Sequence, residues 1–525
     1  MGKHSNWLWI TGLLLGGALD LLFWKQPLGL NFGLYAILCV LGGTLVLARN
    51  RQYPARGALP LFALILLFAA VAAVRAEPLT VFLAVCVTLL LMAVLSNTYL
   101  GGRWLRYGPA DYIGGALRLI ASMLGRPARL RAERRREQQE AGAAGKGPNV
   151  WPVVRGAALA VPILAVFAAL LASADAEFSR ELDAFLRVFR IENLPQIIFR
   201  GAYILIGAYL LVGVFLHAST QSRDESPAGG RKPLVPPFLG FTEAAIVLGS
   251  VAVLFTAFVV VQFRYFFGGA ANITVAGFTY AEYARRGFGE LVTVAFFSLL
   301  LILGLEAATR RESAAQRRTF SALGTVIVAL VLVMLVSAYQ RLALYESAYG
   351  FSRLRTYTHV ALVWIGLLLA AVAVLEIAQR RQGLAPAMLI AVLGFALSLA
   401  ALDVDRLIVQ QNVERAMRGE ELDVPYLVSL SSDSIPALAG RFESPSTPPA
   451  VRDGVGAALF CRWEIGAQPS ERDWRGFTFS RWQAEAAMQR VLPQVKGYRL
   501  LESDWPMRIG TPAGATYNCR GSGLD

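Results

Sequence analysis

The chain has 525 residues, 56% hydrophobic and 16% charged, with a mean hydropathy of +0.50. Soluble domains lie nearer 45–50% apolar with about 25% charged residues, so an ordinary water-soluble globule is excluded. The net charge of +14 would suit nucleic acid, but the basic residues sit in short loops between apolar runs, as the positive-inside rule demands. No groove-reading or base-stacking element accompanies them, so no nucleic-acid partner is expected.

About eleven apolar runs are long enough to cross a hydrocarbon core of roughly 30 Å. In chain order they are 7–24, 28–48, 58–74, 79–100, 150–172, 196–217, 238–267, 288–308, 320–340, 357–379 and 384–402. Every even-numbered run leads into a basic loop: Arg49, Arg51 and Arg56; Arg126 to Arg136; Arg223, Arg231 and Lys232; Arg310, Arg311, Arg317 and Arg318; Arg380 and Arg381. Those loops and the N-terminus are therefore expected in the cytoplasm, and the C-terminus outside. The first run lacks a small-residue cleavage site and leads straight into a second, so no cleavable signal peptide is expected.

The expected fold class is all-α: a polytopic α-helical membrane protein with a small, mostly helical extracytoplasmic C-terminal domain. Four segments follow. Residues 1–106 form a first bundle of four spans, and residues 107–149 an interfacial helix and basic cytoplasmic linker. Residues 150–403 form a second bundle, and 404–525 the outer domain. In the linker, Ile113, Leu117, Ile120 and Leu124 share one helical face, the pattern of a helix lying along the inner membrane surface. The basic run after it, Arg126 to Arg136, is expected to be solvated and disordered. In the tail, helices are expected over 403–418, 423–439, 451–466 and 479–491, with Pro445, Pro448 and Pro449 breaking the chain. Cys461 and Cys519 lie in this outer segment, where two thiols oxidise, and are expected to form a disulfide. Cys39 and Cys86 fall inside apolar runs as small core residues.

Signatures of soluble enzymes are absent. There is no Gly-x-x-x-x-Gly-Lys-Ser/Thr loop, no His-Glu-x-x-His pair and no Gly-x-Ser-x-Gly elbow. The three histidines, His4, His217 and His359, are far apart, so no metal and no cofactor is expected. The balance favours a non-enzymatic protein, and no catalytic residue is assigned.

Charges at the ends of spans are the better clue, because an ionised group in hydrocarbon is costly unless paired. Asp20 is expected to pair with Lys25 at the interface, Glu243 and Glu306 to cap or snorkel, and Glu376 to pair with Arg380 at i,i+4. Two polar runs, 264–290 and 339–359, fall on the outer side, where the topology rule disfavours arginine. Yet they carry Arg264, Arg285, Arg286, Arg341, Arg353 and Arg355, against the acids Glu282, Glu290 and Glu346. Tyr280, Tyr283 and His359 lie among them. Internal ion pairs and interfacial snorkelling account for such a cluster in one reading. In the other, surplus guanidinium groups bind an anion such as a phosphate headgroup, with Glu282 or Glu290 a general base if chemistry occurs. The partners expected are the lipid bilayer and, at this cluster, an anionic envelope lipid, an envelope protein or a signal. A transporter with its outer mouth at the cluster is the alternative, weakened because the seventh to tenth runs carry few polar residues at mid-depth. A membrane-embedded transferase acting on a lipid-phosphate is the second alternative, weakened by a first outer loop as short as 25–27.

Three stretches carry a family likeness: Gln262-Phe-Arg-Tyr-Phe-Phe-Gly-Gly, Thr279-Tyr-Ala-Glu-Tyr-Ala-Arg-Arg-Gly-Phe-Gly-Glu-Leu291, and Tyr345-Glu-Ser-Ala-Tyr-Gly-Phe-Ser-Arg-Leu-Arg355. With Asn412-Val-Glu-Arg415, Leu422-Asp-Val-Pro-Tyr-Leu427 and Leu430-Ser-Ser-Asp-Ser-Ile-Pro436, they resemble bacterial multi-pass membrane proteins of the domain-of-unknown-function 4153/4173 type. The resemblance implies a bacterial inner-membrane protein and supplies no reaction.

Overall fold

The computed structural model describes residues 5–140, 194–224, 237–266, 288–466, 473–502 and 507–519, apart from 103, 108, 379, 381 and 382, with scattered positions between 156 and 178. The helices through the apolar part are α1 (Ser5–Phe23), α2 (Leu30–Arg49), α3 (Leu59–Val74), α4 (Pro78–Thr98), α5 (Pro109–Glu140), α6 (Leu194–Gln221), α7 (Phe241–Phe266), α8 (Phe288–Ala308), α9 (Ala314–Tyr349), α10 (Arg353–Ile377) and α11 (Leu384–Leu402). Among the described residues nine of these are long and apolar enough to cross a membrane, and α1 holds a shorter apolar helix, Trp7–Phe23. The fold is all-α and multi-pass. The expected run 150–172 lies largely outside the described residues.

Two elements differ from expectation. The basic run after Leu124 is helical through Glu140, not disordered. Its Arg, Glu, Gln and Ala residues are strong helix formers, Arg126 bonds Ser122 Oγ and the Leu216 carbonyl, and the Arg131 guanidinium stacks over Trp9 at 4.2 Å. The expected hydrophobic face of α5, Ile113, Leu117, Ile120 and Leu124, is exposed. Secondly, residues 341–349 are not a loop but the last turns of the 36-residue α9. Ala338, Leu342 and Glu346 are buried at i,i+4 spacing, so the stripe that packs the span continues past its apolar part. Gly350, at φ +82°, ends the helix with its N–H on the Glu346 carbonyl at 2.8 Å.

The chain forms two compact units, one of Met1–Trp24, Leu41–Gln52 and Leu117–Thr220, the other of Lys25–Val40, Tyr53–Ala116 and Gln221–Asp525. In the first, Gly12 and Gly16 bring α1 against α6. A Cβ on Gly16 would stand 2.5 Å from the Ile204 carbonyl oxygen, and one on Gly12 2.7 Å from Val212. Small residues four apart allow such close backbone approach between apolar helices. Gly16→Val is expected to force α1 and α6 apart at about 1–3 kcal/mol, read as a lower unfolding midpoint in detergent. Asp20 is paired across this contact with Arg200, through three bonds of 2.9, 3.2 and 2.6 Å, and not with Lys25. The guanidinium fork matches a carboxylate with both its N–H groups, which a flexible ammonium does not.

In the second unit α7, α8, α9 and α10 pack around Ala244, Leu248, Ala295, Ile327, Val331, Leu335 and Leu369. At one end of this bundle Glu376 is buried against Arg311 and accepts from Ser321 Oγ at 2.9 Å, rather than serving an i,i+4 pair with Arg380. Glu243 caps the start of α7, its Oε2 2.9 Å from the Gly240 N–H.

The tail carries α12 (Val404–Met417), α13 (Val424–Ser429), α14 (Ile435–Glu443), α15 (Pro449–Gly466) and α16 (Phe479–Val495). The expected helix 423–439 is two helices, because Leu430 is extended and Ser431 starts a separate turn capped by its own side chain. Residues 499–518, left without an element by hydropathy, form a three-stranded antiparallel sheet, β1 (Arg499–Glu502), β2 (Arg508–Gly510) and β3 (Thr516–Asn518). These strands are too short and too exposed to show a clear alternation. Cys461 and Cys519 are disulfide-bonded and buried. The tail core runs without a break from Val360 and Leu399 in α10 and α11 through Val404, Ile408, Leu438 and Val455 to Val491 and Ile509.

Candidate polar sites at the ends of the spans

Across the α9–α10 hairpin, the short turn 350–352 brings the last turns of α9 beside the first turns of α10. Glu346, 2% exposed, places Oε2 3.2 Å from His359 Nδ1, and the imidazole lies 4.5 Å from the Tyr339 ring. Glu346 Oε1 and His359 Nε2 are both buried with no hydrogen-bond partner. One turn before Glu346, the buried Arg341 donates from Nη2 to Gln262 Oε1 of α7 at 2.7 Å. Glu346 and His359 thus form a partly buried acid–base pair between α9 and α10, while Arg341 faces α7.

The other expected residues go elsewhere or fall outside. Arg353 makes a two-pronged pair with Asp405 of α12, at 2.8 and 2.6 Å, and its backbone N–H donates to Tyr426 Oη. Arg355 stacks on the Tyr345 ring at 4.2 Å and donates to the Gly350 carbonyl. Glu290 is exposed in the first turn of α8, where the positive end of the helix dipole favours an acid. Arg264 lies in the last turn of α7, its side chain outside the described residues, and Tyr280, Glu282, Tyr283, Arg285 and Arg286 lie outside them altogether.

A second polar junction, unforeseen in the sequence, joins the tail to the loop between α3 and α4. Asp433 accepts from the Ala76 and Glu77 N–H groups, both at 2.9 Å. Glu77 caps α4 through Leu79 and Thr80 and accepts the Tyr357 hydroxyl. Arg75 donates to the Ala400 carbonyl at 2.9 Å and pairs with Asp403 at 2.5 Å. Asp405, fully buried, adds the Ser431 N–H at 2.6 Å to its Arg353 pair. Arg462 donates to the Val428 and Leu430 carbonyls, and burial pushes its guanidinium below the ordinary arginine range. None of these pairings was legible in the sequence, since the partners are tens to hundreds of residues apart.

Asp403 ends α11 in the left-handed region, at φ +53°. Burial pushes its carboxyl above the ordinary range, Arg75 opposes this and Asp433 adds to it. The folded state then holds a proton that the unfolded chain releases, so raising the pH above about 3.8 through the raised value erodes stability here. Asp403→Asn is expected to flatten that slope in unfolding at pH 4 and pH 7. Asp403→Ala should cost about 1–2 kcal/mol more than Asp403→Asn, because alanine is strained at this φ and asparagine is not.

Among the described residues no group of three or more His, Cys, Asp or Glu side chains is placed to hold a metal ion. No curated protein matches the chain, and no solved structure does. Residues 62–440 match the family described as a domain of unknown function (DUF4153), a stretch that runs from α3 into α14 and holds the first polar site and all of the second but Arg462. Matched over more than half of its 525 residues, with the likeness of the sequence motifs accounted for, the chain belongs to the DUF4153 family.

Proposed function

We propose that this is a bacterial inner-membrane protein, N-terminus cytoplasmic and C-terminal tail outside, that binds an envelope component through the polar cluster of α7 to α10. The observation that carries the reading is the Glu346–His359 pair, whose outward atoms are buried without partners. Buried polar atoms are satisfied in nearly every native protein, so a ligand group that donates to Glu346 and meets His359 Nε2 completes the site. A hydroxyl or amine of an envelope lipid headgroup has that chemistry. The disulfide supports an oxidising, extracytoplasmic tail.

The test is native mass spectrometry of protein purified with its lipids. The wild type should retain a bound lipid that Glu346→Gln with His359→Gln loses at least tenfold; equal retention would remove the proposal. Reporter fusions after residue 402 should be active only outside the cytoplasm. The transport reading is favoured by one observation: Glu346 and His359 pair at the ends of two helices long enough to span, and ionisable groups on such helices often mark an ion or proton path. Proton uptake by proteoliposomes that vanishes in Glu346→Gln would decide for transport over static binding.

A further inference from the structure

The tail contains a groove that belongs to neither polar site. It is an open cavity of about 450 Å³ lined by Arg406 and Gln410 of α12, Gly440 and Arg441 of α14, Ser444 and Gln483 of α16. Its size is that of a small-molecule site. No acid lines it, and the charge nearest Arg406 is Asp403, which is itself ion-paired with Arg75. This is a local imbalance, because residues 404–525 carry 14 Lys and Arg against 15 Asp and Glu. Two guanidinium forks, two carboxamides and a hydroxyl around an acid-free opening are the donor set for a phosphate group.

The position of the groove identifies the source of that phosphate. Arg406 lies in the first turn of α12, four residues after Leu402, the last residue of the span α11. The segment leading into α16, which supplies Gln483, is tied to the start of another span: the Leu30 N–H donates to the Phe477 carbonyl at 2.8 Å. A Cβ on Gly29 would stand 2.5 Å from the same oxygen, so the contact is close. This segment exposes Trp474, Phe477, Phe479 and Trp482, with Phe479 and Trp482 stacked at 5.5 Å. Large aromatic side chains exposed at the level where a helix enters the bilayer are the belt that sits among headgroups.

We propose that this groove is a phospholipid site, in which Arg406 and Arg441 hold the headgroup phosphate while the aromatic face of 474–482 rests at the acyl boundary. None of these residues belongs to the α7–α10 cluster, so this site and the function proposed above fail separately.

The test uses the full-length protein in detergent with three probes: phosphatidylglycerol, diacylglycerol and inorganic phosphate. Phosphatidylglycerol should bind saturably, and Arg406→Gln with Arg441→Gln should weaken it at least tenfold. Arg490→Gln, which removes an exposed tail cation paired with Glu443, should leave it unchanged. Diacylglycerol, which lacks the phosphate, should not bind measurably. If the double variant loses its thermal transition, the single variants Arg406→Gln and Arg441→Gln carry the test, each expected to weaken binding at least threefold. Equal binding by wild type and variants, or an equal loss in Arg490→Gln, overturns the site. Inorganic phosphate that binds through the same two arginines and displaces the lipid would make the ligand a soluble phosphate and overturn the lipid assignment.

Discussion

Asp405→Ala should lower the unfolding free energy by about 3–5 kcal/mol, the cost of stripping one partner from a buried ion pair. The carboxylate is fully buried and accepts three bonds, two from Arg353 and one from the Ser431 N–H. Without it, a guanidinium remains inside the junction between α10 and α12, and a backbone donor is left without its partner. Arg353→Lys should also destabilise, by less, because an ammonium reaches one carboxylate oxygen and cannot make the fork. Arg353→Met with Asp405→Leu should recover much of the loss, since replacing both charges removes the desolvation term with the attraction. Chemical denaturation in a fixed detergent, followed by Trp fluorescence, measures all three. Wild-type stability in Asp405→Ala would show that the pair is solvated and that the tail is held by its apolar core alone.

Cys461→Ser with Cys519→Ser should cost about 2–5 kcal/mol, the range for removing a native bridge from a small secreted domain. The two residues are 58 apart, and the bridge ties α15 to the end of the sheet. Both lie in the continuous tail core, so each hydroxyl would also be buried where a thioether-like sulfur had been. The expected signature is a lower denaturation midpoint in the double variant that reductant does not lower further, against a wild type whose midpoint reductant lowers towards it. An unchanged wild-type midpoint in reductant, with both thiols then labelled, would show that the cysteines are free.

The apolar helices were legible because a bilayer leaves a chain few choices: every backbone polar group must be bonded within the segment, so length and hydropathy suffice. The end of α9 was not, because Arg341, Tyr345 and Glu346 read as a break in hydropathy while their spacing continued the helix. Basic residues misled in the same way at Arg126 to Arg136, where charge suggested solvation and helix propensity prevailed. Of the candidate cluster, the sequence brought Arg341, Glu346 and His359 to notice as neighbours of a turn. It gave no sign that Arg353 would turn to Asp405, or Asp20 to Arg200, since a pairing across 52 or 180 residues has no local pattern. The Asp433 contact with residues 76 and 77 was invisible for the same reason.

That last contact has a consequence for biosynthesis. The N–H groups of Ala76 and Glu77 wait for Asp433, which is made more than 350 residues later. At about 5–20 residues per second, the loop between α3 and α4 stays uncapped for roughly 20–70 s during synthesis. The tail that closes it must itself first find α10 and α11 in place. Assembly of this protein is therefore completed from its C-terminus backwards, and a chain released early is left with an open seam at its second hairpin.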